Sequence, residues 1–360
     1  MACVTVQVAG RSYPVLIGEG VLTELPRIVR DLDASGIALV TDRGVGPLWT
    51  GAVVDALRCA DVTCPVQEVE EREEAKTLAV LERVLTFLED ARIDRRGVVI
   101  ALGGGTVGDL AGFAAAAWMR GVRYVQVPTT LLAMVDASVG GKTAVNAART
   151  KNAIGAFWQP AAVIADLAML GTLPDGELAS GMAEVIKYGL SLDAGLARCL
   201  EAEQTRLRAR DHALLEPIVA RCVELKAAVV AADEREQGGR AILNYGHTVG
   251  HAIEAASGYR AVHGRAVAQG MRVAVRIGAA MGLCEEPLVG VHDRLLAAYE
   301  LPGPLPDVSA DAILEALPRD KKAAAGRIGW VLPRALGQAQ IDMAVPPDLV
   351  ASVVRGVVRR

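Results

Sequence analysis

The chain has 360 residues, 52% of them hydrophobic, and a formal net charge of −4. It is longer than one ordinary domain, and its apolar share is ample for two cores. The negative balance gives no basic field, and so no compositional case for a nucleic-acid partner.

The VTVQV run at 4–8 alternates as a strand does and lacks the basic start and apolar core of a signal peptide. The run IALVTD at 37–42 is apolar until its end, the mark of a strand buried on both faces. Residues 78–91 form an amphipathic helix pattern, and 97–102 and 124–128 read as further buried strands. Strands alternating with helices predict a parallel sheet with crossover connections. The apolar stretch 110–119 contains glycine and is too short to span a bilayer. From residue 173 the composition shifts to Ala, Leu, Glu and Arg, with helical segments expected at 196–210 and 214–232. The proline-rich segment 301–306 reads as a loop between helices. The expected fold is therefore a Rossmann-like α/β domain with a mostly parallel sheet over 1–172, followed by an all-helical domain over 173–360. Cys3, Cys59, Cys64, Cys199, Cys222 and Cys284 form no CxxC pair and read as small buried apolar residues of a reducing compartment, so the cytoplasm is expected.

The GGGTVG string at 103–108 follows a predicted strand and opens an apolar helical segment, the context in which GxGxxG binds a dinucleotide. Glycines there let backbone N–H groups and a helix N-terminus approach a pyrophosphate, although such a turn is also merely tight. The acidic residue usual about twenty positions later is missing; Asp42, ending an earlier strand, could serve the ribose. Arg120, Lys142 and Lys151 beside Asn152 are cations in glycine-rich or polar surroundings. Each alone reads as a solvated turn residue; with Thr129, Thr130 and Asp136 they would make a cradle for phosphate and hydroxyls. Glu184 and Lys187 share a helical face as an i,i+3 pair would. Glu184 stands among apolar neighbours and needs a partner, which a metal would supply. Lys226 and Arg240 flank the acidic run 233–236, itself a solvated loop. His247 and His251 are four apart on one helix face, and His263 follows a Ser257-Gly258 turn. Converging neutral imidazoles commonly hold a divalent metal; two histidines packed on a helix are the plainer alternative.

The strings GGGTVGDLAGFAAA, RGVRYVQVPTTLLAMVDASVGGKTAVN, KNAIGAFWQP, SGMAEVIKYG and LNYGHTVGHAIE, with His263-Gly264 and RDKK at 319–322, resemble the 3-dehydroquinate synthase family of sugar-phosphate cyclases. The likeness runs in order from about residue 4 to 336. It implies a cytoplasmic homodimeric lyase of the shikimate pathway to chorismate and the aromatic amino acids. The implied reaction turns 3-deoxy-D-arabino-heptulosonate 7-phosphate into 3-dehydroquinate and phosphate, by metal-assisted oxidation, β-elimination, reduction, ring opening and intramolecular aldol. NAD and Zn2+ (or Co2+) are the implied cofactors. The implied metal ligands are Glu184, His247 and His263, which moves His251 to a proton-relay role beside the substrate. NAD contacts would be Asp42, Glu71, Glu73, Lys76, Gly104, Gly105, Thr106, Val107, Gly108, Asp109, Thr129, Thr130, Lys142, Lys151, Met169, Leu170, Gly171 and Thr172, with Glu177 nearby. Catalytic and substrate contacts would be Asp136, Lys142, Asn152, Lys187, Lys226, Arg240, Asn244, His251 and one of Lys321 and Lys322. Arg120 would bind phosphate, reaching the partner subunit's site. Thr150, Arg265 and the lack of a glycine before Glu71 depart from the family pattern without removing a ligand or reacting group. An amino-dehydroquinate synthase, or another sugar-phosphate cyclase of secondary metabolism, remains the alternative.

Overall fold

A computed structural model describes all residues except 9, 59–62, 149, 237, 318–328, 343 and 359–360. Lys321 and Lys322 lie outside the described residues. The chain divides into two compact units, Met1–Pro174 with His212–Arg235, and Asp175–Asp211 with Glu236–Arg360.

The first unit is built on a seven-stranded sheet of β1 (Ala2–Val8), β2 (Arg11–Gly18), β3 (Ile37–Asp42), β4 (Val66–Val69), β5 (Val98–Gly103), β6 (Arg123–Pro128) and β9 (Ala162–Asp166). The spatial order is β1-β2-β9-β6-β5-β3-β4, and only the β1–β2 pair is antiparallel. All residues of β5 and β9 are buried, as continuous apolar runs require when helices cover both faces. The helices α1 (Leu25–Asp31), α2 (Gly46–Arg58), α3 (Leu78–Asp90) and α4 (Gly105–Ala117) connect these strands. Strands β7 (Lys142–Ala147) and β8 (Thr150–Phe157) form a separate hairpin that packs on α4.

The second unit holds α5 (Asp175–Ser191), α6 (Ala194–Ala202), α7 (Gln204–Arg208), α9 (His247–Ala256), α10 (His263–Ala280), α11 (Pro287–Ala298), α12 (Ala310–Ala316) and α13 (Pro347–Val358). It is helical as expected, with one addition: the hairpin β10 (Trp330–Ala335) and β11 (Gln338–Asp342), packed against α10 and α5. No described helix is long and apolar enough to cross a membrane.

The expected division at residue 172 falls two residues before the break at Pro174, but one segment differs. Helix α8 (His212–Ala232) lies in the sequence's helical half yet belongs to the first unit. It buries Leu215, Ile218, Val219, Val223 and Val230 and packs on β1, β2 and the turn Ala133–Ala137. Periodicity reveals a helix with an apolar face; it does not say which sheet that face covers.

Candidate active site

Three helices of the second unit meet at glycine contacts. Gly246 precedes α9 with φ +79°, a left-handed conformation that opens the helix at His247. A Cβ on Gly270 of α10 would fall 1.8 Å from the Gly246 carbonyl oxygen, and one on Gly264 would fall 2.3 Å from that of Ser180 in α5. Only hydrogen fits at these crossings, so α9 and α5 lie backbone to backbone with α10.

The consequence is a convergence of side chains. Glu184 of α5 is fully buried. Its Oε1 lies 3.2 Å from His263 Nε2 and 3.6 Å from His247 Nε2. One ligand atom from each of the three lies within 4.8 Å of the others. Two imidazole nitrogens and one carboxylate oxygen form a donor set suited to a divalent metal with room for substrate, as in catalytic zinc sites. The surroundings fit the same purpose. Burial pushes the His247 imidazole down to about 3, so it stays neutral and able to coordinate. Burial also works against charge on His263, but hydrogen bonds to Glu184 and Glu254 outweigh it and raise this group to about 10.

Lys187, one turn on from Glu184 and as deeply buried, places Nζ 2.6 Å from Glu184 Oε2. His251 is half-buried, its ring 5.3 Å from that of His247 in an edge-to-face arrangement. Arg240 is buried, and Asn244 donates to Glu236 at 3.2 Å. Glu177 is half-buried in the first turn of α5. All these residues belong to the second unit.

In the first unit, most of the residues expected at NAD follow the ends of strands of the seven-stranded sheet, while Lys142 and Lys151 lie on the β7–β8 hairpin. Asp42 ends β3, Glu71 follows β4, Gly104 to Asp109 follow β5, Thr129 and Thr130 follow β6, and Met169 to Thr172 follow β9. These are carboxyl ends of parallel strands, where open α/β sheets bind ligands. The N-terminus of α4 opens there from Gly104, and Thr129 Oγ1 is buried with no hydrogen-bond partner among the described residues. A polar ligand with phosphate and hydroxyl groups would satisfy both. Asp42 accepts from the Gly44 and Val45 amides at 2.9 and 2.8 Å; burial raises its carboxyl despite those donors.

A linked network lies alongside. Buried Lys76 places Nζ 2.5 Å from Asp109 and also reaches Asn152. Glu73 accepts from Asn146 at 2.7 Å and pairs with Lys151 at 3.3 Å. Lys76 and Asp109 thus hold each other and the β7–β8 hairpin, beyond the ligand-contact role expected of them. Lys226 of α8 places Nζ 2.5 Å from Asp136 Oδ1 and 2.6 Å from the Asp136 carbonyl. Lys142 opens β7 and is exposed. Arg120 is exposed on a turn where it and Met119 both adopt left-handed angles, φ +66° and +51°.

Sequence reasoning missed Glu254, whose carboxylate lies 3.5 Å from His263 Nδ1, and buried His292, whose Nε2 lies 2.6 Å from the Tyr245 hydroxyl. A signal existed for the first: Glu254 falls seven after His247 and three after His251, on one face of α9.

Two family descriptions match the chain, 3-dehydroquinate synthase N-terminal over residues 66–180 and 3-dehydroquinate synthase C-terminal over 181–323. The 3-dehydroquinate synthase of Desulforamulus reducens is 46% identical over 344 residues, covering 95% of this chain and 96% of that one. A 2-deoxy-scyllo-inosose synthase solved with carbaglucose-6-phosphate, NAD+ and Co2+ superposes with a TM-score of 0.90 at 27% identity, over 99% of this chain and 100% of its own. The 2-epi-5-epi-valiolone synthase of Streptomyces hygroscopicus subsp. jinggangensis 5008, solved with NAD+ and Zn2+, also gives 0.90, at 26% identity over 98% of this chain and 99% of its own.

Proposed function

Because the chain belongs to the 3-dehydroquinate synthase family, we propose that its first unit binds NAD and that Glu184, His247 and His263 of its second unit hold a divalent metal. The enzyme converts 3-deoxy-D-arabino-heptulosonate 7-phosphate into 3-dehydroquinate and phosphate. The observation that carries the reading is the buried Glu184 carboxylate within 3.2 and 3.6 Å of two imidazoles, in a chain 46% identical to a 3-dehydroquinate synthase.

Glu184, His247 and His263 would hold a metal able to supply Lewis-acid polarisation of substrate hydroxyls, and the first unit would hold NAD, a hydride acceptor and donor. The protein's own residues bind and orient. The substrate carries a carboxylate and a phosphate, so it needs several fixed cations. Lys226, Arg240 and Asn244 take the carboxylate; Lys142, Asn152 and Arg120 take the phosphate end. Lys187, 2.6 Å from Glu184 Oε2, holds that carboxylate in place beside the two imidazoles and donates to a substrate hydroxyl. His251 moves a proton at the substrate, and Asp136 fixes the Lys226 ammonium that it contacts. Glu71, Glu73, Lys76, Asp109, Lys151 and Glu177 shape the NAD site around the glycine turn at 104–108. Holding one conformer of a flexible sugar acid is the larger part of this work.

Eliminating phosphate makes the enzyme a carbon–oxygen lyase. It works as a cytoplasmic homodimer, in which the exposed Arg120 reaches the partner's site. The test is phosphate release from zinc-loaded protein with the heptulosonate phosphate and trace NAD. Release that requires NAD, stops with a chelator and leaves no lasting NADH absorbance is the expected result. Accumulating NADH would refute the reading in favour of a dehydrogenase. Turnover of only the amino analogue, or of a carboxylate-free sugar phosphate, would refute the substrate.

A further inference from the structure

We propose that Glu254 is a positioning residue of the metal centre, setting the orientation and donor strength of His263. The proposal rests on the reading of Glu184, His247 and His263 as ligands. The His263 ring lies between two carboxylates, Glu184 3.2 Å from Nε2 and Glu254 3.5 Å from Nδ1. An imidazole that donates from Nδ1 to a carboxylate presents the lone pair of Nε2; here Nε2 faces Glu184, and the His247 ring centre lies 5.4 Å from that of His263. Glu254 itself stands behind the ring, outside the group of three whose ligand atoms converge. Its side chain is 6% exposed, and a buried carboxylate is retained at a cost unless something there requires it.

The two histidines differ in what backs them. His247 Nδ1 lies 3.2 Å from the Tyr245 carbonyl oxygen, a neutral acceptor on its own chain segment. His263 is backed by a charged acceptor from the neighbouring helix. His247 and His263 each open a helix, but His247 is buried and His263 only half-buried, so the His263 ring has more need of an external clamp. The position of Glu254 follows from the helix: seven residues after His247, its carboxylate projects from the face of α9 that meets the start of α10. A carboxylate behind a ligating imidazole both fixes the ring and raises its basicity, and removing such a partner commonly weakens metal binding about 10–100-fold.

The experiment is a zinc titration against a chromophoric chelator, with the cobalt-loaded visible spectrum as a second readout. Glu254→Gln, nearly isosteric and uncharged, is expected to raise the zinc Kd about 10–100-fold. It should also change the cobalt absorption bands, while NAD affinity stays near wild type. A zinc Kd within about twofold of wild type, with the wild-type cobalt spectrum, would overturn the proposal. Should that variant fail to fold, Glu254→Asp decides the matter identically, its carboxylate being drawn back by one methylene. Glu184→Ala and His247→Ala separate the two readings. If they bind zinc as wild type does, the ligand assignment fails; if they lose it and Glu254→Gln does not, only the Glu254 role fails.

Discussion

Replacing Gly270 with alanine tests how the proposed metal centre is built. The added Cβ would stand 1.8 Å from the Gly246 carbonyl oxygen and 2.8 Å from its carbon. Both are backbone atoms, so no rotamer change relieves the clash. An acceptable carbon–oxygen contact begins near 3 Å, so α9 must retreat from α10 by about 1 Å. The residue after Gly246 is His247, and the His247 and His263 rings, now 5.4 Å apart, sit on the two helices that would separate. Metal–ligand distances tolerate only about 0.2 Å, so zinc affinity should fall at least tenfold. Overpacking of this kind costs roughly 1–3 kcal/mol, against about 1 kcal/mol gained by replacing a helical glycine. The net loss should lower the thermal midpoint of the metal-free protein by several degrees. Gly356→Ala is the control: in α13, with nothing within 4 Å of the new Cβ, it should be neutral or stabilise by about 0.4–1 kcal/mol. Differential scanning calorimetry and chelator competition on both variants decide the matter. Gly270→Ala with wild-type midpoint and zinc affinity would refute the account of the helix crossing.

Further expectations concern charge. Glu184→Gln removes the carboxylate charge 2.6 Å from the buried Lys187 ammonium; denaturant titration should show a loss of about 3–5 kcal/mol, and zinc binding should disappear. Unchanged stability would mean that Lys187 has adequate compensation elsewhere. Arg240→Ala should raise KM for the heptulosonate phosphate at least about tenfold, as loss of a buried charge-assisted hydrogen bond does; an unchanged KM removes Arg240 from the carboxylate site. Burial holds His292 near 4, below its ordinary 6.5, so on acidification the unfolded chain takes up this proton first. The group's contribution is intact above pH 6.5 and is lost as pH falls toward 4. The stability advantage of wild type over His292→Asn should therefore narrow by about 2 kcal/mol between pH 8 and pH 5. A constant gap would show that His292 titrates normally.

What the sequence disclosed and what it hid divide along physical lines. Strands such as 98–103, apolar throughout and followed by a glycine turn, are legible because burial on both faces leaves no polar alternation. Glu184 was legible as an isolated carboxylate in an apolar helix. Helix α8 was legible as a helix, but not as part of the first unit, because its apolar face is complementary to β1 only in three dimensions. The Lys76–Asp109–Asn152 network was hidden for a related reason: side chains 33 and 76 residues apart meet through the sheet's topology. Glu254 was hidden beside two more conspicuous histidines, although its helical spacing placed it on their face.

The membership of α8 in the first unit shapes how the chain can be made and cut. The backbone passes from one unit to the other three times, at 174–175, 211–212 and 235–236. A nascent chain can complete the sheet long before α8 emerges, and until then the surface of β1 and β2 that α8 covers must stay exposed. The second unit likewise begins at 175 but cannot assemble Glu184 with His247 and His263 until residues well past 236 are synthesised. Cutting after Pro174 would yield a fragment with a complete sheet and an uncovered apolar face, prone to aggregate. Severing any single crossing would still leave two covalent tethers, so the two units are joined more securely than halves linked by one connector.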